Sequence, residues 1–226
     1  MNRVIVALDV SAIDDATALA KPLVDEVGGF KVGMELLMAA GPRAIETIAQ
    51  LGNPVFVDAK LHDIPNTVER AAARIRDAGA RWVTVHAAGG EEMIRAGVSG
   101  MGDNGVLGVT MLTSLSQADL GSVGIPGEST DYVVAMARLA AVAGVEGIVC
   151  SPAEIRAVKT DRPDVSVFTP GVRPAASTVD DQRRVATPEQ ARSDGADFLV
   201  IGRPITRADD PVEAVRKIVA SIALFD

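Results

Sequence analysis

The stretch Pro54-Val-Phe-Val-Asp-Ala-Lys-Leu-His-Asp-Ile-Pro-Asn-Thr67 joins an apolar run to a dense group of charges. Its apolar start predicts a buried strand, because branched and aromatic side chains suit a covered sheet. Asp58 and Lys60 follow two residues apart, so on a strand they share one face, with Cα atoms roughly 6.5–7 Å apart. Asp63 lies just beyond, in the turn before a helical segment. Charges crowded in this way are typical of catalytic sites, and an ion-paired turn is the alternative.

The same sequence of a short apolar run and an alanine-rich helical segment recurs along the chain. We predict eight strands, at residues 4–8, 30–32, 55–57, 82–85, 105–109, 147–150, 165–168 and 198–201. We predict helices between them, at residues 14–27, 41–51, 64–78, 91–99, 131–143, 152–160, 188–193 and 211–223. Eight strand–helix units predict a single (β/α)8 TIM barrel that takes up the chain, residues 1–226, as one domain. A doubly wound open sheet is the main alternative, but it more often carries a glycine-rich phosphate loop after the first strand, where this chain has Leu8-Asp-Val-Ser11.

The composition narrows the class of protein. A net charge of −8 argues against nucleic acid or an anionic membrane as a partner. The sequence contains no run of 18 apolar residues, and its N-terminus is too short for the apolar core of a signal peptide, so we expect a cytoplasmic protein. Cys150 is the single cysteine and closes an apolar run, which predicts a buried, inert thiol.

In a TIM barrel the active site forms at the carboxyl ends of the strands. Polar residues end or follow most of the predicted strands, namely Asp9, Lys31, Asp58, Lys60, His86, Thr113, Arg173 and Arg203. Four charged groups alternate in sign and can neutralise one another: Lys31, Asp58, Lys60 and Asp63. The two longest connections, residues 110–130 and 171–186, follow strands and are interpreted as lids on the same rim.

A phosphate site is predicted independently of these charges. The loops after the seventh and eighth strands carry Gly171 with Arg173 and Gly202 with Arg203. Glycine lets backbone amides approach an anion, and arginine can bind it with two hydrogen bonds. These are also the loops that hold phosphate in many barrel enzymes, although glycine turns with solvated arginines are the alternative.

Other residues indicate less. The chain has two histidines, His62 and His86, with no second Cys or His at ligand spacing, so a protein-bound metal is not expected, although Asp58 and Asp63 alone offer carboxylates for Mg²⁺. His86 either orients the rim or satisfies a backbone group at the strand end. Ser151 is predicted to begin a helix through a capping box, Ser151-Pro-Ala-Glu154, rather than to act as a nucleophile.

Together these motifs resemble the orotidine 5′-monophosphate decarboxylase family, bacterial type. The resemblance runs from residue 4 to about residue 212. It is carried by Leu8-Asp9, Phe30-Lys-Val-Gly33, Asp58-x-Lys60-x-x-Asp63-Ile-Pro-Asn-Thr67, Val85-His-Ala-Ala-Gly-Gly90, Cys150-Ser-Pro152, Thr169-Pro-Gly-Val-Arg173, Asp181-Gln-x-Arg184 and Ile201-Gly-Arg-Pro-Ile-Thr206. Asp-x-Lys-x-x-Asp alone is shared with the 3-keto-gulonate-6-phosphate decarboxylases and hexulose-phosphate synthases, which use Mg²⁺ and differ after the second Asp.

The resemblance implies a cofactor-free reaction that converts orotidine 5′-monophosphate to UMP and CO₂, the last step of de novo pyrimidine nucleotide synthesis. It implies that Lys60 protonates C6 of the ring, within a network formed by Lys31, Asp58 and Lys60 with Asp63. It further implies a homodimer in which Asp63 and Thr67 complete the neighbouring site. The remaining expected contacts are Asp9 and Lys31 with the ribose, Thr113 with the pyrimidine, and Arg173, Gln182, Gly202 and Arg203 with the phosphate. Two alternatives remain at this point: the Mg²⁺-dependent sugar-phosphate activity of the sister group, and a non-catalytic nucleotide-sensing barrel.

Overall fold

Eight parallel strands close into a barrel in chain order, in a computed structural model that describes residues 2–174 and 185–225. The strands are β1 (Val4–Leu8), β2 (Gly29–Val32), β3 (Val55–Leu61), β4 (Trp82–His86), β5 (Gly105–Val109), β6 (Gly147–Val149), β7 (Ser166–Thr169) and β8 (Phe198–Ile201). Each strand pairs with the next, and β8 pairs with β1, so the sheet has no free edge. The predicted (β/α)8 barrel is confirmed, and the open sheet is excluded.

Helices surround the barrel. They are α1 (Ile13–Ala20), α2 (Met34–Ala40), α3 (Pro42–Ala49), α4 (Pro65–Asp77), α5 (Glu91–Met101), α6 (Gln117–Ser122), α7 (Ser129–Val142), α8 (Ile155–Asp161), α9 (Pro188–Ser193), α10 (Arg203–Thr206) and α11 (Pro211–Ile222). The short helices α2, α6 and α10 were not predicted. The helix predicted over residues 14–27 is α-helical only to Ala20 and continues as a 3-10 turn, Lys21–Leu23, in which Pro22 has no amide hydrogen to donate.

Side chains cap the starts of helices α9 and α11. The Asp210 side chain accepts a hydrogen bond from the Glu213 amide, and that of Thr187 accepts one from the Gln190 amide. The capping box predicted at Ser151 is wrong, because the Ser151 hydroxyl donates to the carboxylate of Glu154 rather than capping a backbone amide. A 3-10 turn therefore precedes α8.

The core has two layers. The larger layer lies between the strands and the helices and is built from aliphatic side chains. The smaller layer fills the barrel and contains Ile5, Ala7, Phe56, Trp82, Leu107, Phe168 and Val200. Phe168 packs edge-on against both Phe56 and Trp82, with ring centroids 6.1 and 5.4 Å apart. These aromatic rings plug the barrel interior, so the polar residues at the strand ends stand on an apolar floor.

The helices of the described ranges are too short to cross a bilayer as single apolar spans, and α7 has 14 residues where about 20 are needed. The Cys150 thiol is buried, as predicted.

Candidate active site

A cavity of about 600 Å³ opens at the carboxyl ends of the strands. Eight of the residues predicted for the site line it: Asp9, Lys31, Asp58, Lys60, Thr113, Arg173, Gly202 and Arg203. Its volume is within the range usual for sites that hold a small molecule. The strand-end prediction therefore located a real cavity.

A chain of ion pairs crosses the cavity floor. The ammonium nitrogen of Lys31 lies 2.9 Å from Asp9 Oδ1 and 3.6 Å from Asp58 Oδ2. The ammonium nitrogen of Lys60 lies 2.8 Å from the same Asp58 oxygen. Negative and positive groups thus alternate from Asp9 to Lys60, and Asp58 stands between two cations. Lys31 is buried, which makes the pairing necessary for its charge.

Asp58 is held in its charged form. Burial acts to raise the pKa of its carboxyl group and is the largest single influence. Attraction to Lys31 and Lys60, with hydrogen bonds from Lys60 and Thr84, outweighs burial and brings the pKa below its ordinary value. Asp58 is therefore an anion at neutral pH, and it forms an ion pair with the Lys60 ammonium group.

The backbone at Lys60 is unusual. The strand predicted to end at residue 57 continues as β3 to Leu61, and its pairing with β4 shifts between Val57 and Leu61. Within the shift Lys60 has φ +49°, and among the described residues it is the one non-glycine residue with a left-handed φ. Such a conformation costs on the order of 1–3 kcal/mol and persists where the surroundings enforce it. Strain of this kind is concentrated at functional sites.

The predicted phosphate loops also line the cavity. Gly171 has φ +79°, which favours glycine, and its carbonyl accepts a hydrogen bond from the Ala186 amide at 3.3 Å. The Arg173 amide donates to the Ala186 carbonyl at 2.9 Å, so these two bonds close the base of the 171–186 connection. A Cβ placed on Gly202 would lie 3.7 Å from Asp9 Oδ2, which shows that the predicted phosphate loop at Gly202 adjoins the charged network. The predicted residue Gln182 lies outside the described residues.

Two further charged residues line the cavity and were not predicted. Arg207 follows Arg203 by four residues, so the two lie on one side of the α10 turn, and this spacing was a signal in the sequence. Glu35 stands near the start of α2, where its carboxylate accepts a hydrogen bond from the Ser11 hydroxyl at 2.5 Å. No sequence pattern pointed to Glu35, because α2 itself was not predicted.

Asp63 and Thr67 do not line the cavity of their own chain. Both are exposed, and Asp63 Oδ1 accepts a hydrogen bond from the Ile64 amide at 2.7 Å. The structure therefore does not bring Asp63 into the network formed by Asp9, Lys31, Asp58 and Lys60. A site completed by Asp63 would need a second chain.

The histidines stand beside the network. The rings of His62 and His86 have centroids 5.3 Å apart. Burial, followed by His62 and Lys60, lowers the pKa of His86, and Asp58 only partly opposes this shift. His86 is therefore neutral at pH 7. In the part of the chain that the structure describes, no three His, Cys, Asp or Glu side chains are grouped as a metal site.

Comparisons with known proteins agree with this geometry. The family model described as "Orotidine 5'-phosphate decarboxylase / HUMPS family" matches residues 2–218. The chain is 51% identical to orotidine 5'-phosphate decarboxylase of Anaeromyxobacter dehalogenans, over 98% of each chain. It is 47% identical to the protein of the same name from Paramagnetospirillum magneticum, over 99% of this chain and 100% of the relative. The crystal structure of orotidine 5'-phosphate decarboxylase from Lactobacillus acidophilus superposes with a TM-score of 0.86 at 34% identity, over 98% of this chain and 99% of that one. The chain belongs to the orotidine 5'-phosphate decarboxylase / HUMPS family.

Proposed function

We propose that this chain decarboxylates orotidine 5′-monophosphate to UMP and CO₂, the last step of de novo pyrimidine nucleotide synthesis, in the cytoplasm. The observation that carries the proposal is the alternating network that ends at the Lys60 ammonium group, on the floor of a cavity that arginines also line. Relatives that are about half identical over nearly the whole chain bear the name of this activity.

The chemistry needs a cation at one carbon atom. When the bond between C6 and the carboxylate breaks, CO₂ leaves and the electron pair stays on C6, in the ring plane, where the π system cannot delocalise it. The Lys60 ammonium group stabilises this charge and donates a proton to C6, which leaves a neutral amine that takes its next proton from water. Asp58, 2.8 Å from Lys60 Nζ, holds the ammonium group in place. No electron acceptor is required.

The rest of the cavity binds the remote parts of the nucleotide. Arg173, Gly202 and Arg203, together with Gln182, are proposed to hold the phosphate. Asp9 and Lys31 are proposed to contact the ribose hydroxyls, and Thr113 the pyrimidine. Binding of a phosphate dianion far from C6 supplies energy that can hold the ring against Lys60, which raises the rate as well as the affinity.

The Mg²⁺-dependent activity of the sister group is the second candidate, since the family description joins both groups. Two features disfavour it. The relatives named above carry the decarboxylase name, and Asp58 Oδ2 already has two ammonium groups within 3.6 Å. A non-catalytic sensor is disfavoured because binding alone requires no ammonium group fixed at a strained backbone position.

Turnover without metal tests the proposed function. We expect the purified protein to convert orotidine 5′-monophosphate at the same rate in excess EDTA and in added Mg²⁺, measured as loss of the orotate absorbance. No loss of the orotate absorbance in either condition, with turnover of 3-keto-gulonate 6-phosphate that requires Mg²⁺, would favour the sister activity. Absence of turnover of both substrates, with normal UMP binding, would favour the sensor.

We further propose a homodimer in which Asp63 and Thr67 reach the partner's site. Large apolar side chains are exposed in this region. Ile64, next to Asp63 in the chain, is 66% exposed. Met34 and Met38 lie on α2, which contacts β3, and are 50% and 72% exposed. Exposed apolar groups of this size are typical of interfaces when they cluster. Burial of this region against a second copy would bring the exposed Asp63 and Thr67 to the interface.

Glycine at position 33 is expected to be required for ribose binding. A Cβ there would lie 2.5 Å from Asp9 Oδ1 and 3.0 Å from Lys31 Nζ, although the backbone φ of −82° suits alanine. We expect Gly33→Ala to displace this ion pair and to lower kcat/KM by about 10–100-fold, as misplaced binding groups do. Gly121→Ala is the control, because a Cβ there meets no atom within 4 Å. Equal kcat/KM for both variants would contradict the assignment of Asp9 and Lys31 to the substrate.

A further inference from the structure

One buried hydroxyl group connects the two central residues of the site. Thr84 lies on β4 and is fully buried. Its oxygen accepts a hydrogen bond from the Lys60 backbone amide at 2.8 Å, and its hydroxyl donates to Asp58 Oδ1 at 3.1 Å. A single side chain therefore holds the backbone of Lys60 and the carboxylate of Asp58.

The irregular pairing of β3 with β4 explains why this hydroxyl is needed. Val57 pairs with Val83 and Leu61 pairs with Val85, so β3 takes four steps where β4 takes two. Backbone groups inside such a bulge lose their regular ladder partners. The amide of Lys60 is one of these groups, and the Thr84 hydroxyl replaces the missing carbonyl. A buried amide left without a partner would cost about 1–3 kcal/mol.

The two oxygens of Asp58 have separate partners. Oδ2 faces the ammonium groups of Lys31 and Lys60, and Oδ1 accepts from Thr84. Without the second contact the carboxylate could rotate about its side-chain bonds and carry the Lys60 ammonium group with it. Thr84 removes that freedom with two hydrogen bonds. One fixes the Lys60 backbone amide, and the other fixes the Asp58 carboxylate that pairs with the Lys60 ammonium group.

We propose that Thr84 is a positioning residue for the decarboxylation, which fixes the Asp58 carboxylate and the strained Lys60 backbone so that the ammonium group stays at the reacting carbon. This inference rests on the proposed function. The hydrogen bonds described above for the Thr84 hydroxyl go to Lys60 and Asp58. Its strand neighbours Val83 and Val85 pack in the outer core layer. The position needs a side chain that both donates and accepts, which valine of nearly the same shape cannot do.

The test compares Thr84→Val with Thr84→Ser. Valine keeps the shape and removes the hydroxyl, and we expect kcat to fall about 100-fold, as expected for a displacement on the order of 1 Å at a reacting group. KM and the affinity for UMP should change by less than about threefold, because neither the phosphate nor the ribose contacts are touched. Serine keeps the hydroxyl, and we expect kcat within about fivefold of wild type.

Thr17→Val is the matched control for loss of a threonine hydroxyl group. Thr17 is half-buried on α1, where its hydroxyl donates to the Ile13 carbonyl at 2.7 Å, so this variant should change stability without losing kcat. Thr84→Val with the kcat of wild type would overturn the inference, and so would Thr84→Ser with kcat as low as the valine variant. If wild type itself does not convert orotidine 5′-monophosphate, the proposed function fails instead. Melting temperatures of all variants separate unfolding from a loss of positioning.

Discussion

Replacement of Lys60 by alanine is expected to lower kcat by at least about 1,000-fold, because one side chain supplies both the proton and the charge stabilisation at C6. The loss should appear in kcat more than in UMP affinity, which we expect to stay within about tenfold of wild type. UMP lacks the C6 carboxylate that leaves during the reaction, so it places no reacting group at Lys60. Its phosphate and ribose are proposed to be held by other residues. A purely binding role for Lys60 would give the opposite result, a raised KM with normal kcat.

Lys217→Ala is the matched control for this variant. Lys217 is an exposed lysine on α11, 3.4 Å from Glu213, and it stands outside the site cavity. Its replacement should leave kcat unchanged. Steady-state rates and UMP binding by calorimetry measure both variants. If Lys60→Ala retains more than a tenth of the wild-type kcat, proton donation by Lys60 is excluded.

The same position carries a test of backbone strain. Lys60 has φ +49°, a conformation that costs an L-residue roughly 1–2 kcal/mol and costs glycine almost nothing. We therefore expect Lys60→Gly to be as inactive as Lys60→Ala but more stable to urea by about 1 kcal/mol. In most strands a glycine variant is less stable to unfolding than the alanine variant at the same position. The reverse order at position 60 would therefore indicate backbone strain at Lys60. Equal or reversed stability would show that the left-handed backbone is not strained.

The barrel and most of the cavity could be predicted because they depend on short-range patterns. Apolar runs of strand length alternate with helical segments, and a closed parallel barrel places the residue after each strand on one rim. These two patterns were sufficient to place Asp9, Lys31 and Asp58 in the site. The two glycine–arginine pairs were visible because the loops after strands seven and eight adjoin in this fold. The glycine at 171 proves to be a left-handed position, which the sequence could suggest but not establish.

The remaining features depend on contacts between strands. The shift of β3 against β4 has no signal in either strand alone, so the strand was predicted to stop at residue 57, and the φ of Lys60 could not be foreseen. Thr84 was passed over for the same reason: in a buried apolar strand a threonine is indistinguishable from a β-branched packing residue. Its importance arises only from the two groups that β3 presents to it.

Hybrid dimers test whether the site is shared between two chains. The activity that they recover is expected to be of the same order as the activity lost when Lys60 is replaced. Asp63→Ala and Lys60→Ala homodimers each lack one group in both sites, and both are expected to be nearly inactive. In a hybrid, one site combines Lys60 of the first chain with Asp63 of the second and is intact, whereas the other site lacks both. Random exchange of equal amounts makes half of the dimers hybrids, so we expect recovery to about one quarter of wild-type activity.

A mixture of Lys60→Ala with Asp58→Asn is the control that separates shared sites from general rescue. Asp58 and Lys60 are 2.8 Å apart within one chain, so every site of that hybrid lacks one of them and no activity should return. Subunit exchange is confirmed by native mass spectrometry with one chain tagged. Recovery in the first mixture alone requires that Asp63 acts on the neighbouring network. Failure of both mixtures after confirmed exchange would mean that each barrel works with its own residues, and the exposed Asp63 would then need another role.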